Sequence, residues 1–183
     1  RGEFTSKLPQ GANQKVNALE GGIFEVEVLS DTSALLGKGE PAQDMEEFLE
    51  SNVYLDSSDP LIEDLAEKAK GKGKGIAEIA KSLTTFVHRY VASKNFSVGF
   101  ASASEVARNR EGDCTEHSIL LAAMGRAVGI PSRVATGLVY TKRFQDRRDV
   151  LVYHMWTQFF VDGKWINYDS ALGYETCPAD RIL

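Results

Sequence analysis

The sequence predicts an α+β fold in which helices come first and an antiparallel sheet follows, and three features of the 183 residues support this. Residues 60–128 carry mostly helical hydrophobic patterns, whereas residues 133–169 carry strand patterns. Within the second segment, Asp162-Gly163 is a strong signal for a hairpin turn. Residues 114–128 are apolar on nearly all sides, which is typical of a helix buried in a core. We therefore expect this core helix to pack on an antiparallel sheet.

Composition places the chain among ordinary globular proteins, since 43% of its residues are hydrophobic and 26% are charged. The net charge is -5, with acidic and basic residues mixed along the chain and no basic stripe, which argues against a nucleic-acid partner. No apolar run approaches the length of a membrane span, and the two cysteines cannot form a disulfide framework. The sequence leaves the natural N-terminus, the compartment and the oligomeric state open.

Residues 1–55 are expected to form an N-terminal extension outside the main domain. Residues 1–20 are polar and are interpreted as irregular, but residues 22–29 alternate apolar and acidic side chains, as a half-buried strand does. This extension could be the end of a preceding β domain. A loop over residues 30–43 and a short helix over residues 44–49 are predicted to connect it to the main domain.

Two amphipathic helices are predicted next. Asp59 followed by Pro60 is typical of the N-cap and the first residue of a helix, which we expect to end near residue 70. Residues 71–75 alternate glycine and lysine, but their spacing does not match a phosphate-binding loop, so we interpret them as an exposed connection. A longer amphipathic helix is expected over residues 76–93.

The segment that leads to the core helix is predicted to hold a short strand over residues 95–100 and a helical turn capped by Ser104. Gly129 and Pro131 are expected to end the core helix. The elements predicted beyond it are strands over residues 133–140, 150–161 and 164–169, with a charged loop over residues 141–149.

Cys114 lies at the start of the core helix, where a cysteine has unusual chemistry. Gly112 allows the backbone to turn tightly, and Asp113 can cap the helix with a side-chain oxygen. Cys114 would then face unpaired N–H groups and the positive end of the helix dipole, which favour a thiolate. Such sites can lower a cysteine pKa from about 8.5 to roughly 3.5–7.5. The alternative is that Cys114 is a small apolar residue packed in the helix.

His154 and Asp169 are candidates for the groups that would activate this cysteine. Because the Asp162-Gly163 turn sets the strand register, His154 should pair near residue 171, which makes Asp169 a diagonal neighbour on the same face. A carboxylate there can orient an imidazole, and the core helix could bring Cys114 to the other ring nitrogen. Nucleophile, base and orienting carboxylate would then form a catalytic triad.

Four short motifs occur in order along the chain: G-D-C at 112–114, G-I-P-S-R at 129–133, H-M-W at 154–156 and W-I-N-Y-D at 165–169. Together they resemble the transglutaminase-like superfamily, whose pattern is G-x-C at a helix start, G-I-P-x-R after that helix, H-x-W on a strand, and a strand with W and D. The resemblance covers roughly residues 60–173, within a catalytic domain expected over residues 56–183. It implies a papain-like α+β core with Cys114 as nucleophile, His154 as base and Asp169 as orienting group.

The superfamily includes transglutaminases that crosslink amides, bacterial enzymes similar to cysteine proteases, and glycan amidases. This chain departs from the family pattern at two positions. Gln158 stands where many bacterial relatives carry glutamate, and Ser170 stands where proline commonly follows the aspartate. Neither residue belongs to the expected triad, so the departures bear on substrate contacts and on the local backbone.

The residues and the resemblance together predict thiol-dependent acyl transfer on the amide bonds of a protein or peptide substrate. The thiolate would attack the carbonyl, His154 would protonate the leaving amine, and water is the favoured acceptor of the acyl group. Crosslinking to an amine is the alternative. It needs a walled tunnel that keeps water from the thioester, and the residues before the family match, 1–55, are mostly polar and loop-like. No cofactor or metal is expected, so activity should survive chelators.

Two alternatives from other functional classes remain. Cys114, His117, His154 and Asp169 are permitted zinc ligands, although no second cysteine pair accompanies them. The chain could also be a catalytically silent binding module on the same fold. If the acyl-transfer prediction is right, His117 is a structural hydrogen-bond partner, because a base on the helix of Cys114 would lack an orienting carboxylate.

Three further side chains have both a functional and a structural interpretation. Trp156 could contact the substrate, but packing that shields the His154–Asp169 pair from water is the simpler role. Arg133 could bind a carboxylate, although a structural ion pair is the preferred interpretation. Cys177 has neither a base nor a helix cap near it in sequence, and we expect it to be inert.

Overall fold

The second half of the chain forms a four-stranded antiparallel sheet, and one helix packs across it. This arrangement is seen in a computed structural model that describes residues 8–31, 44–73, 75–94 and 100–183. The predicted α+β fold class is confirmed, with the core helix packed on the sheet. None of the helices in these ranges is both long and apolar enough to cross a membrane.

The bounds of the elements are as follows. The helices are α1 Pro60–Ala69, α2 Ile76–Tyr90, α3 Ala103–Asn109 and α4 Cys114–Ala127. The strands are β1 Gln14–Ala18, β2 Phe24–Val28, β3 Ser93–Lys94, β4 Glu111–Gly112, β5 Ser132–Phe144, β6 Arg147–Val161, β7 Lys164–Tyr168 and β8 Arg181–Ile182. Short 3₁₀ turns occur at Glu20–Gly22 and Glu46–Phe48.

The N-terminal residues contain more regular structure than their sequence indicates. β1 pairs antiparallel with the predicted strand β2, with Val16 opposite Val26 at the centre. The prediction of an irregular segment over residues 1–20 is therefore wrong for β1. Its sequence QKVNA lacks a clear apolar alternation, so the strand depends on pairing with β2. Most of the loop predicted over residues 30–43 lies outside the described residues, and the helix predicted over residues 44–49 is a 3₁₀ turn.

The helices that precede the core helix begin at residues that cap them. Asp59 accepts a hydrogen bond from a backbone N–H of the first turn at 2.8 Å, and Pro60 is the first residue of α1, as predicted. α3 is capped by Ser102, so the prediction of Ser104 is wrong by two positions. The capping box decides this choice, because Glu105 lies three residues after Ser102 and returns a bond to the Ser102 N–H.

A short parallel pair of strands fixes the backbone just before α4. Ser93 lies opposite Glu111 where β3 and β4 pair. The strand predicted over residues 95–100 lies outside the described residues, except for Phe100. Because β4 runs directly into α4, this pairing determines where the core helix begins.

The four-stranded sheet has the order β7-β6-β5-β8, and neighbouring strands are antiparallel. The Asp162-Gly163 turn joins β6 to β7 and sets Val161 opposite Lys164, which is the predicted register. Because β7 ends at Tyr168, the residues that follow it leave the sheet close to the middle of β6.

β5 and β6 form a long hairpin, called here the β5–β6 hairpin. The prediction of a charged loop over residues 141–149 is wrong, because the two strands stay paired up to Phe144, which lies opposite Arg147. Gln145 begins the two-residue turn with a φ of 52°, in the left-handed region. Backbone N–H and C=O groups pair whatever the charge of their side chains, and here the charged side chains are largely exposed to water.

α4 is the centre of the hydrophobic core. Leu120, Leu121 and Met124 are fully buried, and burial of each such side chain contributes about 1.5–3 kcal/mol. α1, α2 and α3 pack against α4 as well. The sheet is joined to the helix by a polar contact too, since Thr157 Oγ1 on β6 donates to the Ser118 carbonyl at 3.0 Å.

Alternate residues of β6 point to opposite faces of the sheet. Phe159 faces α4 and lies so close to Gly125 that a Cβ there would be 2.3 Å from its ring. Trp156 lies on the other face, in a smaller apolar cluster with residues of β5. His154 shares the face of Trp156, and their rings are stacked with centres 6.3 Å apart. Trp156 and His154 therefore lie outside the main core.

Candidate active site

Cys114 is the first residue of α4 and is half-buried. Asp113 Oδ1 accepts from the Thr115 N–H at 2.9 Å, and Glu116 Oε2 accepts from the Asp113 N–H at 2.9 Å, which completes a capping box. Gly112 has a φ of 148°, and a Cβ there would lie 2.3 Å from Glu116 Cβ, so only glycine fits. The cysteine is therefore held by a rigid turn at the positive end of the helix.

His154 contacts the carboxylate that the hairpin register places beside it. Its Nε2 lies 2.8 Å from Asp169 Oδ2. Asp169 Oδ1 accepts from the Leu172 N–H at 3.0 Å, and the backbone of Asp169 pairs with that of Tyr174. These contacts fix the carboxylate in the turn that follows β7.

Cys114 and His154 line the same cavity, and the side chain of Cys114 is near enough to raise the pKa of the imidazole. Since Nε2 faces Asp169, Nδ1 is the ring nitrogen that remains for the sulfur. The structure thus places His154 in contact with Asp169 and on the same cavity wall as Cys114. Their catalytic roles stay a prediction.

Charged partners outweigh burial at this site. Burial by itself would lower the pKa of His154, but the hydrogen bonds and negative charges of Asp169 and Cys114 raise that pKa to about 9. Burial would raise the pKa of Asp169, but the hydrogen bond and charge of His154, together with the charge of Arg181, hold that pKa below its ordinary value. The site therefore favours an imidazolium beside an ionised carboxylate at neutral pH.

Arg181 on β8 belongs to this site, and sequence reasoning does not identify it. Its side chain is 2% exposed, and its Nη1 donates to Asp169 Oδ2 at 3.0 Å. Its guanidinium carbon lies 5.3 Å from the centre of the Trp156 ring. No signal in the sequence marks it, since β8 is only two residues long and Arg181 lies outside the family motifs.

Trp156 lies beneath the imidazole of His154. The side chain is 1% exposed, and its indole Nε1 donates to Asn167 Oδ1 at 2.7 Å. The planes of the two rings differ by 22°. The indole ring of Trp156 is therefore placed to support one face of the imidazole by stacking. A contact of Trp156 with substrate would require the indole ring to become exposed.

Gln158, the first departure from the family pattern, joins two side chains on the same face of the sheet. Its Nε2 donates to Asn167 Oδ1 at 2.9 Å, and its Oε1 accepts from Arg133 Nε at 2.8 Å. Glutamate could accept from Arg133 but could not donate to Asn167. Arg133 also stacks on Trp165, with its guanidinium carbon 4.1 Å from the ring centre. These contacts hold Arg133 against the sheet.

Ser170, the second departure, connects the turn after β7 to two helices. Its Oγ donates to the His117 carbonyl on α4 at 3.2 Å, and its own carbonyl accepts a hydrogen bond from His88 Nδ1 on α2 at 2.7 Å. A proline at this position would keep the carbonyl but lose the hydroxyl. Serine therefore adds one connection between α4 and the turn that carries Asp169.

The geometry does not support the alternative zinc site. Within the ranges that the structure describes, no group of three or more histidine, cysteine, aspartate or glutamate side chains is arranged to hold a metal ion. Cys114, His117, His154 and Asp169 therefore do not form a set of ligands in this arrangement. His154 instead uses Nε2 for its contact with Asp169.

A cavity of about 530 Å³ opens over Cys114 and His154. Its walls are mostly apolar and come from the β5–β6 hairpin and from the segment after β7. The apolar wall residues include Val139, Tyr140, Phe144, Val152, Leu172 and Tyr174. Among the described residues that line it, the carboxylates are Asp113 and Asp180, and there is no lysine or arginine. The cavity thus suits an uncharged, apolar group.

The chain is similar to known proteins in sequence pattern and in fold. The family model for the transglutaminase-like superfamily matches residues 61–170. A candidate cysteine protease from Cytophaga hutchinsonii superposes with a TM-score of 0.66 and 16% identity, over 97% of this chain and 74% of that chain. The periplasmic domain of TgpA from Pseudomonas aeruginosa superposes with a TM-score of 0.53 and 16% identity. That alignment covers 70% of this chain and 47% of the TgpA domain, so this chain spans about half of it. These superpositions show a common fold. No curated protein matches the sequence.

Proposed function

Because the chain belongs to the transglutaminase-like superfamily, we propose that it is a cysteine hydrolase that cleaves an amide bond of a protein or peptide through a thioester on Cys114. One observation carries this proposal. His154 Nε2 lies 2.8 Å from the Asp169 carboxylate, and the imidazole lines an open cavity together with Cys114. Similarity in fold to a candidate cysteine protease supports the same general class.

The first half of the reaction forms the thioester. The proton of Cys114 passes to His154, and the sulfur attacks the carbonyl carbon of the substrate. The resulting oxyanion needs hydrogen-bond donors, and the backbone N–H of Cys114 is one candidate. The carbon–nitrogen bond then breaks, and His154 gives its proton to the leaving amine.

The second half of the reaction releases the acid. His154, now neutral, takes a proton from water while the oxygen of that water adds to the thioester carbonyl. The carbon–sulfur bond breaks, a carboxylic acid leaves, and the proton held by His154 returns to the sulfur. Asp169 fixes the orientation of the ring throughout and stabilises the imidazolium that forms in each half.

The positions of aromatic residues favour water over an amine as the acyl acceptor. Tyr153, Phe159 and Tyr168 lie near the motifs in sequence and could in principle wall a tunnel. Phe159 and Tyr168 are 0% exposed in the main core, whereas Tyr153 is 87% exposed at the cavity rim. An acyl group on Cys114 would therefore be open to water, which a crosslinking enzyme must exclude.

A partition experiment tests the reaction. The protein is incubated with a peptide that contains glutamine and apolar residues, with and without an excess of a fluorescent primary amine. Intact-mass measurement should detect an acyl adduct that is absent in Cys114→Ala and present in Cys177→Ala. Hydrolysis or deamidation should dominate even with the amine present. Quantitative incorporation of the amine would make the protein a transglutaminase in activity. Absence of an adduct on Cys114 would contradict the proposal.

The apolar walls of the cavity favour a bulky apolar residue on the acyl side of the cleaved bond. The β5–β6 hairpin offers a matched pair of variants, because Phe144 and Leu151 are both 49% exposed but only Phe144 lines the cavity. Phe144→Glu should lower kcat/KM for a peptide with an apolar acyl side by roughly tenfold or more, whereas Leu151→Glu should change it little. Equal effects of the two substitutions would show that the cavity does not select the side chain.

A further inference from the structure

Arg181 and His154 share one oxygen of the Asp169 carboxylate. Nη1 of Arg181 lies 3.0 Å from Asp169 Oδ2, and Nε2 of His154 lies 2.8 Å from the same atom. The Arg181 side chain is 2% exposed and Asp169 is 0% exposed in its side chain, so salt and water screen this pair weakly. The buried Asp169 carboxylate therefore contacts two cationic groups, and Asp180 is a second carboxylate paired with Arg181.

Further contacts hold the guanidinium of Arg181 in place. Its Nε donates to Asp180 Oδ1 at 3.0 Å. Its central carbon lies 5.3 Å from the centre of the Trp156 ring and 5.9 Å from that of Tyr174. An arginine side chain does not lose its proton in a protein, so Arg181 is a fixed positive charge, whereas His154 gains and loses a proton.

We propose that Arg181 is a positioning residue of this site, which holds Asp169 against His154 and, by sharing the charge of the carboxylate, limits the basicity of the imidazole. If Asp169 served His154 alone, the imidazolium would hold its proton more tightly and would protonate the leaving amine less readily. The consequence for turnover rests on the proposed function. The effect on the titration of His154 does not.

The titratable and charged groups around His154 come from four parts of the fold. They are Asp113, Cys114 and His117 at the start of α4, Tyr140 and Tyr153 on the β5–β6 hairpin, Asp169 and Tyr174 after β7, and Asp180 and Arg181 at β8. Of these groups, only Arg181 is a permanent cation. Its replacement by a neutral side chain should therefore move the titration of His154 in one direction, upward.

NMR titration of the His154 imidazole tests the proposal directly. It is carried out in Cys114→Ala protein, which removes the coupled titration of the thiol, and the His154 signal is assigned by its absence in His154→Gln. In Arg181→Met the titration midpoint should rise by about one pH unit relative to the parent. Arg181→Lys keeps the charge and should stay close to the parent. Where Arg181→Met does not fold, Arg181→Gln supplies a neutral side chain that can still donate to Asp169.

Arg126 provides a matched control for loss of an arginine. Its Nε and Nη2 donate to the Ser132 carbonyl at 3.1 and 2.8 Å, away from the site. Arg126→Met should destabilise the fold without moving the His154 midpoint. With Cys114 restored, Arg181→Met should lower kcat by roughly tenfold and change KM little. An unchanged or lowered His154 midpoint in the neutral Arg181 variants would overturn the proposal, even if those variants were less stable.

Discussion

Asp31 and Asp169 are buried to the same extent, each being 1% exposed, but they are held by different kinds of partner. Asp169 accepts hydrogen bonds from two cationic side chains, His154 and Arg181. Asp31 accepts hydrogen bonds from neutral amides. The pKa of Asp31 is raised to about 6, chiefly by burial, whereas the pKa of Asp169 is held below its ordinary value. Burial acts in the same direction on both carboxyls and the charge of Arg181 lowers both pKa values, so the hydrogen bond and charge of His154 distinguish Asp169 from Asp31.

The neutral partners of Asp31 come from separate parts of the chain. Oδ1 accepts from Asn13 Nδ2 at 3.0 Å and from the backbone and side-chain amides of Asn167 at 3.2 and 3.0 Å. Oδ2 accepts from the Cys177 N–H at 3.0 Å. Asp31 thus ties the segment before β1 to β7 and to the chain after it. A buried carboxylate surrounded by neutral donors connects segments, whereas one between cations can support a titrating imidazole.

Removal of His154, the titrating cation that contacts Asp169, should have the largest effect on activity. His154→Ala should abolish turnover and slow the alkylation of Cys114 at neutral pH, because the thiol loses its base. Steady-state assays and iodoacetamide kinetics measure both effects. His117→Ala is the matched comparison, since His117 is a second histidine that lines the same cavity. If His117→Ala is inactive while His154→Ala is tolerated, the base has been wrongly assigned.

Neutralising each aspartate in turn compares the two sites directly. Asp169→Asn should lower the rate by on the order of 10²–10⁴, because the amide neither stabilises the imidazolium nor fixes the ring in the required tautomer. Asp31→Asn should leave kcat close to that of the parent protein, because Asp31 makes no hydrogen bond with His154. Steady-state kinetics of both variants, at matched folded fraction, provide the measurement. Equal losses of rate would mean that the two carboxylates have the same role.

The two cysteines differ as the two aspartates do, since one lies near Asp31 and the other near His154. The backbone N–H of Cys177 donates a hydrogen bond to Asp31. Cys177 is 2% exposed, and burial raises the pKa of its thiol. Cys114 lies in the cavity beside His154. Iodoacetamide at about pH 6 should therefore label Cys114 at least tenfold faster than Cys177 in folded protein, a ratio of roughly the size that pKa and exposure produce. Peptide mapping after timed quenching measures the ratio, and equal labelling would contradict the assignment of Cys114 as the reactive thiol.

Sequence reasoning identifies the parts of this molecule that depend on local sequence signals. The start of α4 follows from Gly112 and Asp113, and the approach of Asp169 to His154 follows from a hairpin turn of known register. The choice between Ser102 and Ser104 as the cap of α3 also had a local signal, the glutamate three residues after Ser102.

The parts that sequence reasoning misses have partners that no turn of known register or recognisable motif connects to them. Arg181 bonds a residue twelve positions earlier, and Asp31 bonds Asn167 across 136 positions. Such pairs leave no periodic pattern, because each residue is determined by what the completed fold places beside it. β1 is missed for the same reason, since its polar sequence becomes a strand only by pairing with β2.

The last expected effect is on the free energy of unfolding, and it differs in sign between the two aspartates. A carboxyl whose pKa is raised by folding binds its proton more tightly in the folded state, so stability falls as pH rises from the unfolded to the folded pKa. For Asp31 this window runs from 3.8 to about 6 and corresponds to about 3 kcal/mol. For Asp169, whose pKa is lowered, the contribution is present above the unfolded value and is lost as pH falls through the folded one.

Urea unfolding at several pH values measures these windows separately. Asp31→Asn lacks the acidic decline, so its free energy of unfolding should improve relative to the parent by about 3 kcal/mol between about pH 4 and pH 7. The free energy of unfolding of Asp169→Asn should approach that of the parent only as pH falls below 3.8, where the parent loses its ionised carboxylate.

His154 adds a third window, because its contribution to stability is present below pH 6.5 and is lost as pH rises through about 9. His154→Ala should lack this decline. If the difference between Asp31→Asn and the parent is the same at both ends of the acidic window, neutral donors stabilise a buried carboxylate as well as cations do, and the contrast between the two aspartates is lost.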